Sequence, residues 1–282
     1  MSLRLRAPAK LNLGLRLVAR RADGYHEIET FFLPLRLCDE LTLERGRPGG
    51  GVELEVEGAE LPTGRDNLVV RAALETCGAL GVPADLRIRL HKRIPVAAGL
   101  GGGSSSAPSA RARARRRADV PFFLDPRPAF GRGIGDELEP VEGIPEMAWL
   151  LVAFPFGVAT PWAFREASRE LTLPRPRSSI APLLGSGGPA TSPPNDLEGV
   201  ASRRHPEIRA ARAALDRAGA LITGMSGSGP TVYGRFPSME EARSVARGLE
   251  LPEGARAMAV GSPGSAAHVA SADEPYWGVA KR

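Results

Sequence analysis

The sequence predicts an α+β fold built from two sub-domains that meet near residue 145. In the first half, apolar and polar residues alternate as they do in strands with one buried face. Helix-like stretches stand between these strands without a regular strand–helix–strand repeat, which favours α+β over α/β. An apolar run at residues 148–154 then opens a second series of strands and helices.

Four stretches of the first half have the period of two that is typical of strands: residues 3–6, 41–44, 52–56 and 86–90. Strands of this kind expose one face and bury the other, as in an antiparallel or mixed sheet.

One helix is predicted between the third and fourth of these strands, over residues 68–80. Asn67 stands at its start and Gly81 at its end, and both residue types are favoured there. Three apolar residues share one face of this helix, namely Val70, Leu74 and Cys77.

Beyond its first strand, the second half also carries clear boundary signals. A helix is predicted between Pro206 and Gly219, because proline is favoured in the first turn and glycine just past the last. Two short strands, residues 221–222 and 231–233, flank a loop of glycine and serine. Ser238 begins a capping box for one more helix.

Length and composition are those of a globular protein with a substantial core. The chain has 282 residues, of which 43% are hydrophobic. It contains no run of about 18 apolar residues, which a membrane-spanning helix would require. The N-terminal residues lack an apolar region before a cleavage site, so we expect a cytoplasmic location. Cys38 and Cys77 fit neither a disulfide framework nor a zinc site, and we expect no structural metal.

The net charge of +5 comes with a marked preference for arginine. Arginine supplies 34 of the 37 basic residues, and the three lysines are Lys10, Lys92 and Lys281. A compact ammonium meets a single oxygen in a way that the planar guanidinium does not. The two internal lysines are therefore candidates for chemistry, with an ordinary surface position as the alternative.

Residues 95–107, PVAAGLGGGSSSA, are the strongest functional signal. Their glycines let backbone N–H groups approach an anion without interference from a Cβ atom, and a helix beginning there would add its partial positive charge. The hydroxyl groups of Ser104 and Ser105 suit phosphate oxygens or a magnesium ion. Because the stretch has neither the Walker nor the GxGxxG pattern, its spacing leaves both a phosphate-binding loop and a flexible linker open.

The same stretch resembles the nucleotide-binding motif P-x-x-x-G-L-G-x-x-S-S-A of the GHMP kinases, a superfamily that includes galactokinase, homoserine kinase and mevalonate kinase. Other stretches are similar to one branch of that superfamily, the 4-diphosphocytidyl-2-C-methyl-D-erythritol kinases. These stretches are APAKLNL from Ala7, RADGYHE from Arg21, RDNL from Arg65, ADVPFF from Ala118, NDLE from Asn195 and GMSGSGP from Gly224.

The resemblance implies a fold of two α+β domains with the active site in the cleft between them. Residues 1–145 would form the nucleotide-binding domain with the glycine-rich phosphate loop, and residues 146–282 the C-terminal domain. The implied activity is ATP-dependent phosphorylation of a hydroxyl of 4-diphosphocytidyl-2-C-methyl-D-erythritol to the 2-phosphate, in non-mevalonate isoprenoid biosynthesis. ATP is the implied phosphoryl donor, Mg²⁺ is expected, and neither a nucleic acid nor a membrane is an expected partner.

The resemblance also implies roles for individual residues. Lys10 and Asp119 match the catalytic pair. The residues implied at the cytidine end of the substrate are Asn12, Tyr25, His26, Ile134, Gly135 and Phe164, with Tyr25 and Phe164 enclosing the cytosine ring. The residues implied in ATP binding are Asn67, Lys92, Pro95, Val96, Ala97, Ala98, Gly99, Leu100, Gly101, Gly102, Gly103, Ser104 and Ser105.

Elementary chemistry is compatible with these roles. Phosphoryl transfer to an alcohol needs a positioned hydroxyl and neutralised phosphate charge. Asp119 can accept the hydroxyl proton or hold the hydroxyl in place, and Lys10 can keep that carboxylate ionised. Taken without the resemblance, the alternative for Asp119 is a turn residue before Val120 and Pro121, and the alternative for Tyr25 with His26 is a core contact beside a turn.

Two other functions stay open on the sequence. One is another small-molecule kinase of the superfamily, acting on homoserine or a mevalonate-type alcohol, although neither substrate has a base to stack on aromatic residues. The other is a nucleic-acid-binding protein that would contact phosphates through the arginines of residues 111–117.

The chain departs from the family between Ser105 and Asp119, where only 14 positions separate the two residues. The Ala/Arg run at residues 108–118 has no apolar stripe to bury. It is either a shortened linker or a misread segment whose loss of a helix pair impairs the enzyme. Residues 174–194 and 261–275 are rich in Pro, Gly and Ser, and we expect them to be surface segments.

Overall fold

The computed structural model of the chain describes residues 2–105, 120–174, 192–265 and 276–278. The expectations for residues 108–118, for most of residues 174–194 and for residues 266–275 concern parts outside the described residues, as does the position of Asp119.

The first half forms a six-stranded sheet with helices beside it. In chain order its elements are β1 (Ser2–Arg20), β2 (His26–Arg45), β3 (Val52–Glu57), α1 (Leu68–Leu80), β4 (Leu86–His91), α2 (Gly102–Ser105), α3 (Val120–Leu124), β5 (Ala129–Arg132) and β6 (Glu137–Pro140). The strand order is β3-β4-β2-β5-β6, and β1 pairs with β2 along an antiparallel hairpin. Only the β3–β4 pair is parallel among these strands.

The second half forms a five-stranded antiparallel sheet. Its elements are β7 (Met147–Ala153), α4 (Thr160–Glu170), α5 (Glu198–Arg204), α6 (Pro206–Arg217), β8 (Ile222–Met225), β9 (Val232–Phe236), α7 (Met239–Gly248), β10 (Arg256–Ser262) and β11 (Tyr276–Gly278). The strand order is β11-β10-β7-β9-β8.

The local signals of the sequence are confirmed where the structure describes them. The Asn67 side chain accepts a hydrogen bond from the N–H of Val69 (2.8 Å), and Gly81 ends α1 with a φ of +66°. The Ser238 hydroxyl accepts one from the N–H of Glu241 (3.1 Å) at the start of α7. The α+β class is confirmed as well.

The hydrophobic core joins the two sheets. Leu11 and Phe31 of the first sheet belong to the same buried cluster as Trp149 and Tyr233 of the second. Since the two sheets share this cluster, the packing does not test the domain boundary near residue 145, which stays a prediction.

The same packing decides where the functional segments lie. It brings the middle of the β1–β2 hairpin against the segment that follows β4 and against the loop between β8 and β9. In the described part of the chain, no helix is long and apolar enough to cross a membrane.

Candidate active site

The first glycine loop, residues 95–103, is a tightly wound segment that follows β4 and includes the first two residues of α2. Ala97, Gly99 and Gly101 all have positive φ, at +53°, +74° and +73°. Three left-handed residues within five positions coil the backbone, and glycine adopts this conformation without a steric penalty at two of them. At Gly99 and Gly101 no side chain covers the backbone.

A cavity of about 330 Å³ lies between this loop and the start of α1. Of the residues predicted to bind ATP, all but Ser104 and Ser105 line this cavity. They are Asn67, Lys92, Pro95, Val96, Ala97, Ala98, Gly99, Leu100, Gly101, Gly102 and Gly103. Ser105 is buried, and its Oγ has no hydrogen-bond partner among the described residues. An unpaired buried hydroxyl beside a glycine loop suits a phosphate oxygen or a metal ion. The side chain of Ser104 lies outside what the structure describes.

Lys92 and Asn67 also hold the walls of this cavity in place. The Lys92 ammonium donates to Asp39 Oδ2 and to the carbonyl of Ile94, at 2.6 Å each. Burial lowers the pKa of Lys92, and the Asp39 carboxylate opposes that shift. Asn67 donates from Nδ2 to the carbonyl of Pro62 (2.7 Å) while its Oδ1 caps α1.

A larger cavity of about 700 Å³ lies beside the first. The two share Lys92, Pro95 and Val96, and the larger one extends toward Phe154 and Arg256. It includes no residue predicted for catalysis or for the cytidine end of the substrate, so we assign the chemistry to the smaller cavity and its surroundings.

The second glycine loop, residues 226–229, packs directly on the first. A Cβ atom on Gly99 would lie 2.5 Å from the carbonyl oxygen of Ser226 and 2.9 Å from that of Gly229. The Ser226 hydroxyl donates to the carbonyl of Gly99 (3.0 Å) and accepts from the N–H of Asn12 (3.1 Å). Ser226 therefore ties the first loop to β1.

Lys10 and Asn12 lie together at this junction. Lys10 is 3% exposed, so the surface alternative is excluded, and its ammonium donates to Asn12 Oδ1. The ammonium also lies 5.5 Å from the centre of the Phe32 ring. The N–H of Lys10 donates to the carbonyl of Leu100 (3.0 Å), which fixes the strand against the first glycine loop. A buried cation is thus held beside the predicted phosphate site.

A third cavity, of about 630 Å³, is aromatic. Its lining includes Tyr25, His26, Ile134 and Phe164 of the predicted substrate residues. The His26 and Phe164 rings stack with centres 5.6 Å apart and planes at 29°, while Tyr25 stands half exposed at the edge. The enclosure of cytosine by Tyr25 and Phe164 stays a prediction.

The surroundings of His26 favour its neutral form. Burial lowers its pKa, and the positive charge of Arg20 adds to the shift. Its Nε2 atom is buried and has no hydrogen-bond partner among the described residues. A neutral imidazole with a free nitrogen suits the donor–acceptor edge of a base.

The other two predicted substrate residues occupy different places. Gly135 belongs to the turn beside Ile134, where its N–H donates to the carbonyl of Arg132 (2.9 Å). Asn12 lies with Lys10 and is not part of the aromatic lining. The aromatic cavity is nevertheless linked to the second glycine loop, because Thr160 of its wall shares a hydrogen bond with Ser228 (2.8 Å between the two Oγ atoms).

No group of three or more His, Cys, Asp or Glu side chains that could hold a metal ion occurs in the parts of the chain that the structure describes. The position of Asp119 falls outside them, so its pairing with Lys10 stays a prediction.

Comparison with known proteins identifies the family of the chain. The family model described as GHMP kinases N terminal domain matches residues 67–115, and the one described as GHMP kinases C terminal matches residues 179–252. The 4-diphosphocytidyl-2-C-methyl-D-erythritol kinase of Pelotomaculum thermopropionicum is 38% identical, over 85% of this chain and 91% of that protein. This chain belongs to the 4-diphosphocytidyl-2-C-methyl-D-erythritol kinase family.

Two further relatives of this kinase agree. The 4-diphosphocytidyl-2-C-methyl-D-erythritol kinase of Thermus thermophilus is 40% identical over 86% of this chain and 91% of that protein. A crystal structure of 4-(cytidine 5'-diphospho)-2C-methyl-D-erythritol kinase is 34% identical and superposes with a TM-score of 0.77, covering 93% of this chain and all of that one. The resemblance inferred from the motifs, and the kinase class with it, are confirmed.

Sequence reasoning missed several residues that contribute to the candidate site. Asp39 and Thr160 were not singled out, and Ser226 and Asn195 were noted only as parts of matching motifs. Asn195 donates from Nδ2 to the carbonyls of Met225 and Gly227, at 2.8 Å each. One signal for Asp39 was available in the sequence, since it directly follows the largely apolar run of residues 31–38, where a carboxylate is unusual. The structure shows it fully buried, and a buried carboxylate needs partners.

Proposed function

We propose that this kinase transfers the γ-phosphoryl group of ATP to the 2-hydroxyl of 4-diphosphocytidyl-2-C-methyl-D-erythritol, giving the 2-phosphate and ADP in non-mevalonate isoprenoid biosynthesis. One observation carries the proposal. The buried Lys10 is hydrogen-bonded through its N–H to the first glycine loop, and the second glycine loop next to it reaches the aromatic cavity through Ser228 and Thr160.

The 330 Å³ cavity at the first glycine loop suits ATP, and the 630 Å³ aromatic cavity suits the cytidyl substrate. Backbone N–H groups of a glycine loop stabilise phosphate oxygens, and the Ser105 hydroxyl is an unpaired buried group beside them. Aromatic faces and a neutral imidazole suit the flat ring and the polar edge of cytosine. Neither homoserine nor a mevalonate-type alcohol would use the aromatic cavity in this way.

The reaction forms a bond between the substrate oxygen and the γ-phosphorus and breaks the bond to the bridging oxygen of ADP. Lys10 offsets the negative charge that develops on the transferred group. We assign Asp119 to hold the attacking hydroxyl or to accept its proton, on the strength of the family motif alone.

A magnesium ion that is bound to ATP would fit this site. On this chain the Ser105 hydroxyl would hold it, since that oxygen is buried without a partner among the described residues, and phosphate oxygens would supply most other ligands. The ion neutralises charge on the β- and γ-phosphates when it is bound. A cytoplasmic location remains part of the proposal.

The direct test is a coupled ADP-release assay on the purified chain. Mg-ATP is supplied with 4-diphosphocytidyl-2-C-methyl-D-erythritol, and parallel reactions contain homoserine or mevalonate. We expect turnover with the cytidyl substrate alone. Turnover with either other alcohol would overturn the assignment of the aromatic cavity. No turnover from a folded chain would mean that the short segment before Asp119 impairs catalysis.

A pair of variants on α4 tests the aromatic cavity itself. Phe164→Ala removes the ring that stacks on His26, and we expect the KM for the cytidyl substrate to rise about ten- to a hundredfold while the KM for ATP stays unchanged. Trp162→Ala is the matched control, because that ring packs against Arg204, 4.7 Å from its guanidinium carbon, and is not part of the cavity lining. Equal effects of the two variants would count against a base-binding role for Phe164.

A further inference from the structure

Asp39 is a fully buried carboxylate whose oxygens are used by three consecutive residues. Its Oδ1 accepts the N–H groups of Arg93 and Ile94, at 2.8 Å each. Its Oδ2 accepts the Lys92 ammonium at 2.6 Å. One side chain of β2 thereby fixes both the backbone and the charged group of the segment that leads into the first glycine loop.

The Lys92 ammonium is held where nucleotide phosphates would approach. It lies 3.0 Å from where a Cβ atom on Gly102 would stand, at the first residue of α2. Two hydrogen bonds, to Asp39 and to the Ile94 carbonyl, hold the ammonium against the wall of the 330 Å³ cavity. A buried lysine without a counterion tends to lose its proton, so its charge in this position depends on Asp39.

We propose that Asp39 is a positioning residue for ATP: it holds Lys92 charged and fixed at the wall of the nucleotide cavity, although Asp39 is not part of the cavity lining. The inference rests on the proposed nucleotide site. It adds a determinant of ATP affinity that acts through Lys92 and through the N–H groups of Arg93 and Ile94.

The first variant is Asp39→Asn, which keeps an oxygen for the two backbone N–H groups but turns an amide toward the ammonium. We expect the dissociation constant for Mg-ATP, measured by titration calorimetry, to rise about tenfold or more, since hydrogen bonds to charged groups are the strong ones. The KM for ATP should rise in parallel, while kcat and the KM for the cytidyl substrate change by less than about twofold.

Glu40→Gln provides the matched control. It removes one carboxylate from the adjacent position of the same strand, and among the described residues that carboxylate pairs with the Arg93 side chain, at 3.4 Å and partly in solvent. An ion pair of this kind contributes little, so ATP affinity should stay within about twofold of the wild-type value.

The double variant Asp39→Asn/Lys92→Met separates positioning from folding. Removing both charges relieves the unpaired buried ion, so the free energy of unfolding should recover relative to Asp39→Asn. ATP affinity should stay low, because no ammonium remains at the cavity. If Asp39→Asn alone does not fold, wild-type ATP affinity in the double variant would overturn the inference.

The outcomes are distinct. If wild-type protein binds no ATP, the proposed nucleotide site itself is wrong. If wild-type protein binds ATP and Asp39→Asn binds it equally well, the positioning role of Asp39 is wrong, whereas the nucleotide site stands. Recovery of ATP affinity together with stability in the double variant would also overturn the inference, because ATP would then bind without the Lys92 ammonium.

Discussion

Replacing Gly99 with alanine tests the contact between the two glycine loops. Gly99 has a φ of +74°, and an added Cβ would lie 2.5 Å and 2.9 Å from the carbonyl oxygens of Ser226 and Gly229. The left-handed conformation costs an alanine about 1–2 kcal/mol. The contacts are with backbone atoms that cannot rotate away, and overpacking of this kind costs about 1–3 kcal/mol more. We therefore expect Gly99→Ala to lower the free energy of unfolding by roughly 2–5 kcal/mol.

Urea denaturation measures this loss, and Gly49→Ala supplies the control. Gly49 has nearly the same φ, +75°, but nothing lies within 4 Å of an added Cβ, so only the conformational cost of about 1–2 kcal/mol should appear. Gly99→Ala should also raise the KM for ATP, because its loop must move away from residues 226–229, whereas Gly49→Ala should not. Equal losses of stability in the two variants, with an unchanged KM for ATP, would refute the close approach of the loops.

Three further predictions concern the neighbouring side chains. Lys10→Met should lower kcat about 10²- to 10³-fold with little change in the circular dichroism spectrum, because it removes a buried charge next to the transferred group; a kcat within a few-fold of wild type would exclude Lys10 from the chemical step. Asn195→Asp replaces the two N–H donors to the Met225 and Gly227 carbonyls with a repelling oxygen, so urea denaturation should show a loss of about 1–3 kcal/mol and kcat should fall as the second loop shifts. Unchanged stability would mean that these two bonds do not hold the loop. His26 has its pKa lowered below 6.5, so the unfolded chain binds a proton that the folded chain does not, and the free energy of unfolding should fall as the pH drops below about 6.5. His26→Gln should remove that part of the pH dependence, and an identical pH dependence in the variant would contradict the shift.

Local signals in the sequence were sufficient for many elements of the fold. Strand β3 alternates between partly buried and exposed residues, and β4 alternates between buried or partly buried and exposed residues, so their period of two was visible in the sequence. The cap of α1 at Asn67 and the cap of α7 at Ser238 were also visible in the sequence, because each cap involves residues within three positions of one another.

The length of the central hairpin could not be predicted in this way. For this hairpin, the period of two was visible at residues 3–6 and 41–44, whereas β1 and β2 extend over 19 and 20 residues. Most of these residues are buried on both faces, and a strand with two buried faces has no alternation to detect.

The sequence by itself determined the family and most of the residues around the two glycine loops, because those motifs are contiguous and carry their chemistry with them. Tertiary structure alone decided which distant groups meet there. Asp39 reaches the segment before the first loop, Ser226 bridges Gly99 to Asn12, and Asn195 holds the second loop. These contacts join residues between 30 and 214 positions apart. They exist because burial of the shared core fixes both sheets against each other, and no pattern of neighbouring residues specifies that arrangement.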